Sequence, residues 1–321
     1  MSAKSGCCGP GTASLNRNRH LELALAIEPA PRPIRESIHR DLVEVPGGFF
    51  DMGARTSTFP GDLDSPRRKV RVSPFLIAAT TVTNEDFARF VEHSHYRTVA
   101  EREGWSFVFH LLLSNSEQWT QGPVGLPWWR KVNGASWAAP EGPGSDWRDR
   151  PDHPAVHICW YDALAYCIWA GVRLPREAEW ERAARGGHAR RKFPWGNALV
   201  HDGRHMMNTW QGAFPVENSG ADGYVGTAPV RAYEPNDYGL WNMTGNVWEW
   251  VADPFGSLPP QGPLPEIAPP EAGDRRARVQ RGGSFLCHIS YCDRYHVHSR
   301  NRNDPDSSTC NAGFRIGCDA M

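Results

Sequence analysis

Cys287 and Cys292 are the residues whose type and spacing most directly invite chemistry: in RGGSFLCHISYCDRY they are separated by His288, Ile289, Ser290 and Tyr291. Five positions apart, two side chains face opposite sides of a strand and lie about 140° apart on a helix, so these thiols converge only where the backbone bends. The polar linker permits such a bend. Convergence leaves three outcomes open: a reversible disulfide, a two-thiolate metal site, or two buried thiols with no joint role. A zinc site needs four ligands, and no second CxxC-like pair at standard spacing supplies them. Two soft thiolates without further ligands suit Cu(I) best.

The chain has 321 residues and eight cysteines, at positions 7, 8, 159, 167, 287, 292, 310 and 318. The apolar run from Leu21 to Ile27 is interrupted by Glu22, so no secretory signal is visible and a reducing, cytoplasmic setting is expected, where cysteines serve metal binding or catalysis more often than a disulfide framework. Lys and Arg number 35 against 36 Asp and Glu, a net charge of -1 that draws the chain to neither nucleic acid nor anionic lipid. The best apolar run, Val72 to Thr83, carries Ser, Pro and Thr and falls short of the roughly 20 residues that span a membrane.

The elements that must position the thiols are short. With 31 Gly, 27 Pro and 14 Trp, the composition predicts a loop-rich α+β globule packed on aromatic residues. Residues 1–40 read as a flexible leader and 41–321 as a single domain. DLVEVPGGFFDMGA has a hairpin-like signal around Pro-Gly-Gly, and KVRVSPFLIAA a second strand-like run. TNEDFARFVEH predicts a short amphipathic helix capped by Thr83 or Asn84; Trp160 to Gly171 predicts a second and PREAEWERAARGG a third. From Lys192 onward helical periodicity fades, so the backbone amides there need side chains, water or a bound cation as partners. Ser257 to Ala272 is proline-rich and reads as a surface loop.

RGGSFLCHISYCDRY followed by NDPDSSTCNAGFR resembles the C-terminal signature of formylglycine-generating enzymes, the sulfatase-modifying factors. PGGFFDMG, TVTNEDFARFV, RPDHPAVHICWYDALAYCIWAG, RLPREAEWERAARGG, NTWQGAFPVENSGADGYVGTAPV and NDYGLWNMTGNVWEW follow the family's order between about residues 43 and 317. GNVWEW occurs across the wider superfamily; the paired cysteines mark its catalytic branch. The resemblance implies a C-type-lectin-like fold and a monomeric aerobic oxidase of the monooxygenase/oxidase type. Such an enzyme converts the cysteine of a Cys-x-Pro-x-Arg motif, in an unfolded sulfatase polypeptide or peptide, to Cα-formylglycine with dioxygen. It further implies Cu(I) held by Cys287 and Cys292, which can oxidise to a disulfide without metal, and an active-site lining of Ser284, His288, Tyr291, Trp248 and Asn311. Two structural calcium sites are implied, one at Asn208, Thr209, Asp222 and Tyr224, the other at Asn242, Gly245, Val247 and Glu249; neither resembles an EF-hand, and Asp222 and Glu249 alternatively cap turns. An extended groove for the peptide is expected.

The sequence departs from the family pattern in places. Cys310 stands where Ser or Gly is usual, and a third thiol near the site offers a competing ligand or disulfide partner. His296 and His298 add possible metal ligands, and Cys159 and Arg176 replace the more usual Ser and Thr. Val297 and Ile316 occupy positions where secreted relatives carry disulfide cysteines. Cys7 and Cys8, in SGCCGPG, have no assigned role. Two rival readings remain: a non-catalytic peptide-binding module on the same scaffold, and an iron-dependent oxidase using His153, His157, His296 and His298.

Overall fold

The computed structural model describes residues 9–11 and 16–320, so Cys7 and Cys8 lie outside the described residues. Residues 17–40, expected as a flexible leader, instead carry α1 (Arg17–Leu25) and α2 (Arg32–Arg40). Leu21 and Ala24 are three apart on α1 and enter the same apolar cluster as Tyr166 and Trp169, while Glu22, which interrupts the run in sequence, falls on another face of the helix. Ala30 N donates to Trp169 O at 2.7 Å, and Arg17 pairs with Asp306 at 2.9 Å.

The next four strands are β1 (Leu42–Val45), β2 (Gly48–Met52), β3 (Arg68–Val72) and β4 (Phe75–Ala78). β1 and β2 do not form the expected hairpin. β1 pairs antiparallel with β4, and β2 with β3, in two different sheets. The Pro46-Gly47 break lies against the Ser73-Pro74 break: a Cβ on Gly47 would stand 2.6 Å from Pro74 N. The two strand pairs therefore cross at a point only glycine fits.

α3 (Asn84–Ser94) starts as its sequence predicts, with Thr83 Oγ1 accepting from Asp86 N at 3.0 Å. α4 (Val99–Glu103) has a capping box made by Thr98 and Glu101. β5 (Trp105–Phe109) and β6 (Trp129–Asn133) form an antiparallel pair. α5 (Trp160–Ala170) ends at Gly171 in the left-handed region, and α6 (Glu177–Ala184) follows after a short connection. Their N-cap positions are Cys159 and Arg176, whose backbone N–H groups donate to Asp162 and Glu179. The remaining strands are β7 (Val200–His201), β8 (Arg204–His205), β9 (Trp248–Pro254), β10 (Gly262–Pro263), β11 (Arg278–Arg281), β12 (Arg300–Asn303), β13 (Ala312–Phe314) and β14 (Gly317–Asp319). Among the described residues no α-helix follows α6.

Three sheets organise the molecule: β1-β4-β14, β10-β3-β2 and β12-β11-β9-β13. β13 runs parallel to β9, placing Ala312 opposite Trp248. α5 is the apolar hub, with Trp160, Tyr161, Tyr166 and Trp169 buried. Buried ion pairs tie the sheets to α6: Arg281 reaches Glu177 at 3.0 Å and Glu181 at 2.6 Å, and Arg300 Nη2 reaches Glu177 at 2.8 Å. The Pro-rich insert is tethered where β10 pairs parallel with β3.

Candidate active site

The segment between β11 and β12 supplies the bend that the cysteine spacing requires. Gly283, at φ 79°, packs so closely that a Cβ would lie 2.9 Å from Tyr295 Cα and 3.0 Å from Arg294 O. Cys287 N then donates to Ser284 O at 2.8 Å, and the N–H groups of Tyr291 and Cys292 both donate to His288 O, at 3.0 and 2.8 Å. Two successive turns bring Cys287 Sγ and Cys292 Sγ to 3.3 Å, both side chains 1% exposed. That separation is well beyond the ~2.05 Å of a disulfide bond, so the structure holds two facing thiols.

Ser284 is oriented by a chain of hydrogen bonds. Thr309 Oγ1 donates to Asn311 Oδ1 at 2.7 Å, and Asn311 Nδ2 donates to Ser284 Oγ at 3.0 Å. Ser284 N donates to Cys287 Sγ at 3.4 Å, and its Oγ lies 4.0 Å from the same sulfur. Trp248 packs in the same cluster as both thiols, its backbone N–H bonded to Asn311 O at 2.8 Å and its indole Nε1 buried without an acceptor. A narrow cleft over the thiols is walled by Trp128, Trp129, Phe214, Leu286, Tyr291 and Ser284. Tyr291 stacks on Phe214 at 4.3 Å and meets Trp128 edge-on at 5.0 Å. Ser284, Asn311, Trp248 and Tyr291 thus gather at the pair. His288 does not join the cleft wall: its Nδ1 lies 2.8 Å from Ser290 Oγ and accepts from Ser290 N at 3.2 Å, on the outer side of the turn.

Sequence reasoning missed the charged support of this site. Arg294 Nη1 lies 3.9 Å from Cys292 Sγ, while Nε and Nη2 clasp Asp62 at 2.5 and 3.1 Å, and its guanidinium stacks on Phe59 at 3.8 Å. Burial raises the Asp62 carboxyl against the lowering effect of Arg294. The "DR" after Cys292 was the only available signal, since Asp62 stands 232 residues away.

Cys310 and the histidines take separate places. Cys310 Sγ accepts from Phe109 N at 3.3 Å in the cluster around Trp129 and Phe285, and burial pushes its thiol up to about 12. His157 is wholly buried between Ser106 Oγ at 2.7 Å and Pro140 O at 2.8 Å, and burial lowers it to about 4. His153 pairs with Thr227 Oγ1 at 2.8 Å, whereas His296 and His298 stack on each other at 5.3 Å. The four histidines of the iron reading are therefore not assembled; among the described residues no three His, Cys, Asp or Glu groups gather to hold a metal. Two buried, facing sulfurs, with no third such ligand gathered among the described residues, fit a soft monovalent ion better than zinc or iron.

The first oxygen-rich set is pre-arranged. Asp222 accepts from Thr209 N at 2.8 Å and Tyr224 N at 3.2 Å, which folds the 208–224 loop, and burial raises its carboxyl. Asn208 Oδ1 is buried without a donor, an acceptor atom suited to a hard cation. The loop then braces the thiols, since Trp210 N donates to Cys287 O at 3.1 Å. In the second set Asn242 Oδ1 is likewise buried without a donor, and Gly245 N binds Gly282 O at 2.8 Å. Glu249 differs from its assignment: its two oxygens already accept from Arg315, at 2.6 and 2.8 Å, and from Trp180 Nε1 at 2.7 Å. Its carboxylate balances a buried guanidinium, leaving the amide and main-chain oxygens of that loop as the open acceptors.

A short-stranded, loop-rich α+β scaffold that presents a buried thiol pair beneath an aromatic cleft is the C-type-lectin-like architecture of the sulfatase-modifying proteins. The model of the sulfatase-modifying factor enzyme 1-like domain matches residues 28–320, starting before the expected domain boundary. The chain belongs to the formylglycine-generating enzyme (sulfatase-modifying factor) family. It is 52% identical over 297 residues to the formylglycine-generating enzyme of Thermomonospora curvata, a match covering 91% of this chain and 97% of that relative. It is also 43% identical to an inactive Cα-formylglycine-generating enzyme 2 of Bos taurus, over 87% of this chain and 88% of that one. Among solved structures, PvdO from Pseudomonas aeruginosa shares the fold at TM-score 0.60 and 21% identity, covering 87% of this chain and 94% of PvdO.

Proposed function

We propose that this protein oxidises the cysteine of a Cys-x-Pro-x-Arg motif, in an unfolded sulfatase polypeptide, to Cα-formylglycine, with Cu(I) held by Cys287 and Cys292 and dioxygen as oxidant. The observation that carries the reading is the buried thiol pair at 3.3 Å, with Ser284 beside it, at the floor of an aromatic cleft. Family membership alone does not separate active from inactive relatives; the buried pair supports the catalytic reading, because two facing sulfurs at the floor of a cleft suit a soft metal ion. A bound Cu(I) ion supplies affinity for a substrate thiol and a route for electrons to dioxygen. Ser284, fixed by Asn311, presents a hydroxyl that donates to sulfur or to a reduced oxygen species. Tyr291, Phe214 and Trp128 exclude water and offer an apolar face to the incoming segment.

In the overall balance the substrate CH2–SH becomes CHO and its sulfur leaves as hydrogen sulfide. One oxygen atom enters the aldehyde, and the other is reduced to water with two electrons and two protons from an external thiol pair that becomes a disulfide. The free Asn208 and Asn242 side-chain oxygens support calcium at the two adjoining loops, with Thr209, Tyr224, Gly245 and Val247 contributing main-chain oxygens. We place the protein in the cytoplasm as a monomer.

The test is mass spectrometry of a Cys-x-Pro-x-Arg peptide incubated with Cu(I)-loaded protein, a reducing thiol and air, with an aldehyde-trapping reagent. Conversion is expected, and Cys287→Ser should abolish it together with stoichiometric copper binding, whereas Ser284→Ala should slow turnover at least tenfold with copper retained. Copper-loaded wild type that leaves the peptide unchanged overturns the proposal in favour of the binding module.

A further inference from the structure

The thiol pair is served by a charged clamp whose parts lie far apart in sequence. Cys287, Cys292 and Arg294 are all buried. Two thiolates around a monovalent cation keep a net negative charge, and burying that charge without a counter-charge is costly. Arg294 Nη1, 3.9 Å from Cys292 Sγ, places a positive group at that sulfur.

The guanidinium is aimed from its other edge. Its Nε and Nη2 each donate to one oxygen of Asp62, which leaves Nη1 for the sulfur, and the Phe59 ring covers its face at 3.8 Å. Asp62 and Phe59 belong to residues 59–64, between β2 and β3, and β12 pins that segment in turn. Arg300 Nη1 donates to Asp62 O at 3.2 Å and to Leu63 O at 3.0 Å, and Arg302 Nη1 donates to Gly61 O at 3.3 Å. An ion pair that served folding alone would be complete with Nε and Nη2 on Asp62. The contact of the remaining Nη1 with a sulfur of the facing pair is what points to a role at the metal.

We propose that Arg294 is a positioning residue acting through Cys292: its charge, aimed by Asp62 and Phe59, offsets the net negative charge of the metal-bound sulfur pair and so sets how tightly a soft monovalent ion is held. The inference rests on the copper reading and adds to it the residue that tunes the site. Anaerobic competition for Cu(I) between the full-length protein and a chromogenic Cu(I) chelator tests it. Wild type should hold Cu(I) stoichiometrically. Arg294→Gln should hold it about tenfold or more weakly. Arg294→Lys keeps the charge but loses the two-point clasp, and should recover affinity to within about threefold of wild type. Arg294→Gln strands the Asp62 carboxylate, so the double variant Asp62→Asn, Arg294→Gln, which leaves neither charge unmatched, is measured beside it; it should show the same loss of affinity, with a melting curve confirming its fold. Wild-type affinity in the double variant overturns the proposal, as does an equal loss in Arg294→Lys, which marks a purely structural part for the side chain. Both results leave the copper reading standing. Wild type that takes up no Cu(I) overturns that reading and this inference together.

Discussion

Removing the carboxylate of Glu249 would strand two buried partners, the Arg315 guanidinium and the Trp180 indole N–H, both already bonded to it. An unpaired buried charge of this kind costs about 3–5 kcal/mol, so Glu249→Ala should lose that much unfolding free energy in calcium and in chelator alike. Asn208→Ala should behave differently. It removes an open acceptor, so the wild type should melt lower in chelator than in calcium while the variant shows little difference; equal melting of the wild type in both conditions counts against the calcium site. At this scale the sequence was legible where chemistry is local. Softness and proximity single out Cys287 and Cys292, and the Ser284–Asn311 bond joins two stretches of one motif region. It was opaque where support comes from afar: nothing near Cys292 announces Asp62, and nothing in GNVWEW tells that its glutamate answers a buried arginine.

Elements set the geometry of the pair, and Gly283 is the position where that can be tested. With φ at 79° and a virtual Cβ 2.9 Å from Tyr295 Cα, alanine there forces backbone apart in a conformation it disfavours, at a cost of about 1–3 kcal/mol. Gly283→Ala should lower kcat at least tenfold by displacing Ser284 and the turn that follows, with a smaller change in KM; Gly256→Ala, with nothing within 4 Å of the added methyl, should leave both unchanged. Helices were readable because their ends are written locally: Thr83 caps α3 and Gly171 stops α5. Strand partners were not. The Pro-Gly-Gly of residues 46–48 reads as a hairpin turn, yet it sends β1 and β2 into separate sheets, because the decisive contact is with Ser73-Pro74. The first two helices were missed for a related reason: α1 is short and polar on average, and gains its place from Trp169 and Tyr166, more than a hundred residues later.

Two titratable groups, the wholly buried His157 and the half-buried Asp253, have opposite pH signatures. His157 is held neutral by burial at about 4, below the ~6.5 of an unfolded histidine, so the unfolded chain takes up the proton first and stability falls as pH drops from 6.5 toward 4. That loss should be on the order of 3 kcal/mol, read from urea unfolding across the range. Asp253 runs the other way: burial and the neighbouring Glu177 push it up to about 6, so it costs stability above that pH and recovers it as pH falls toward its ordinary value. Asp253→Asn should therefore stabilise at pH 8 and be neutral at pH 4; a uniform effect would place its role in packing.

Late segments close early ones throughout this fold. β14 completes the sheet begun by β1 and β4, β13 lies beside β9, and Asn311, just before β13, aligns Ser284. On a ribosome the thiol-bearing turn leaves the exit tunnel before the strands that fix it, and most of these pairings span long stretches of chain, which slows their formation. The growing polypeptide thus carries Cys287 and Cys292 for a time without an ordered serine beside them, and their aligned arrangement arises only once the closing strands have emerged and paired.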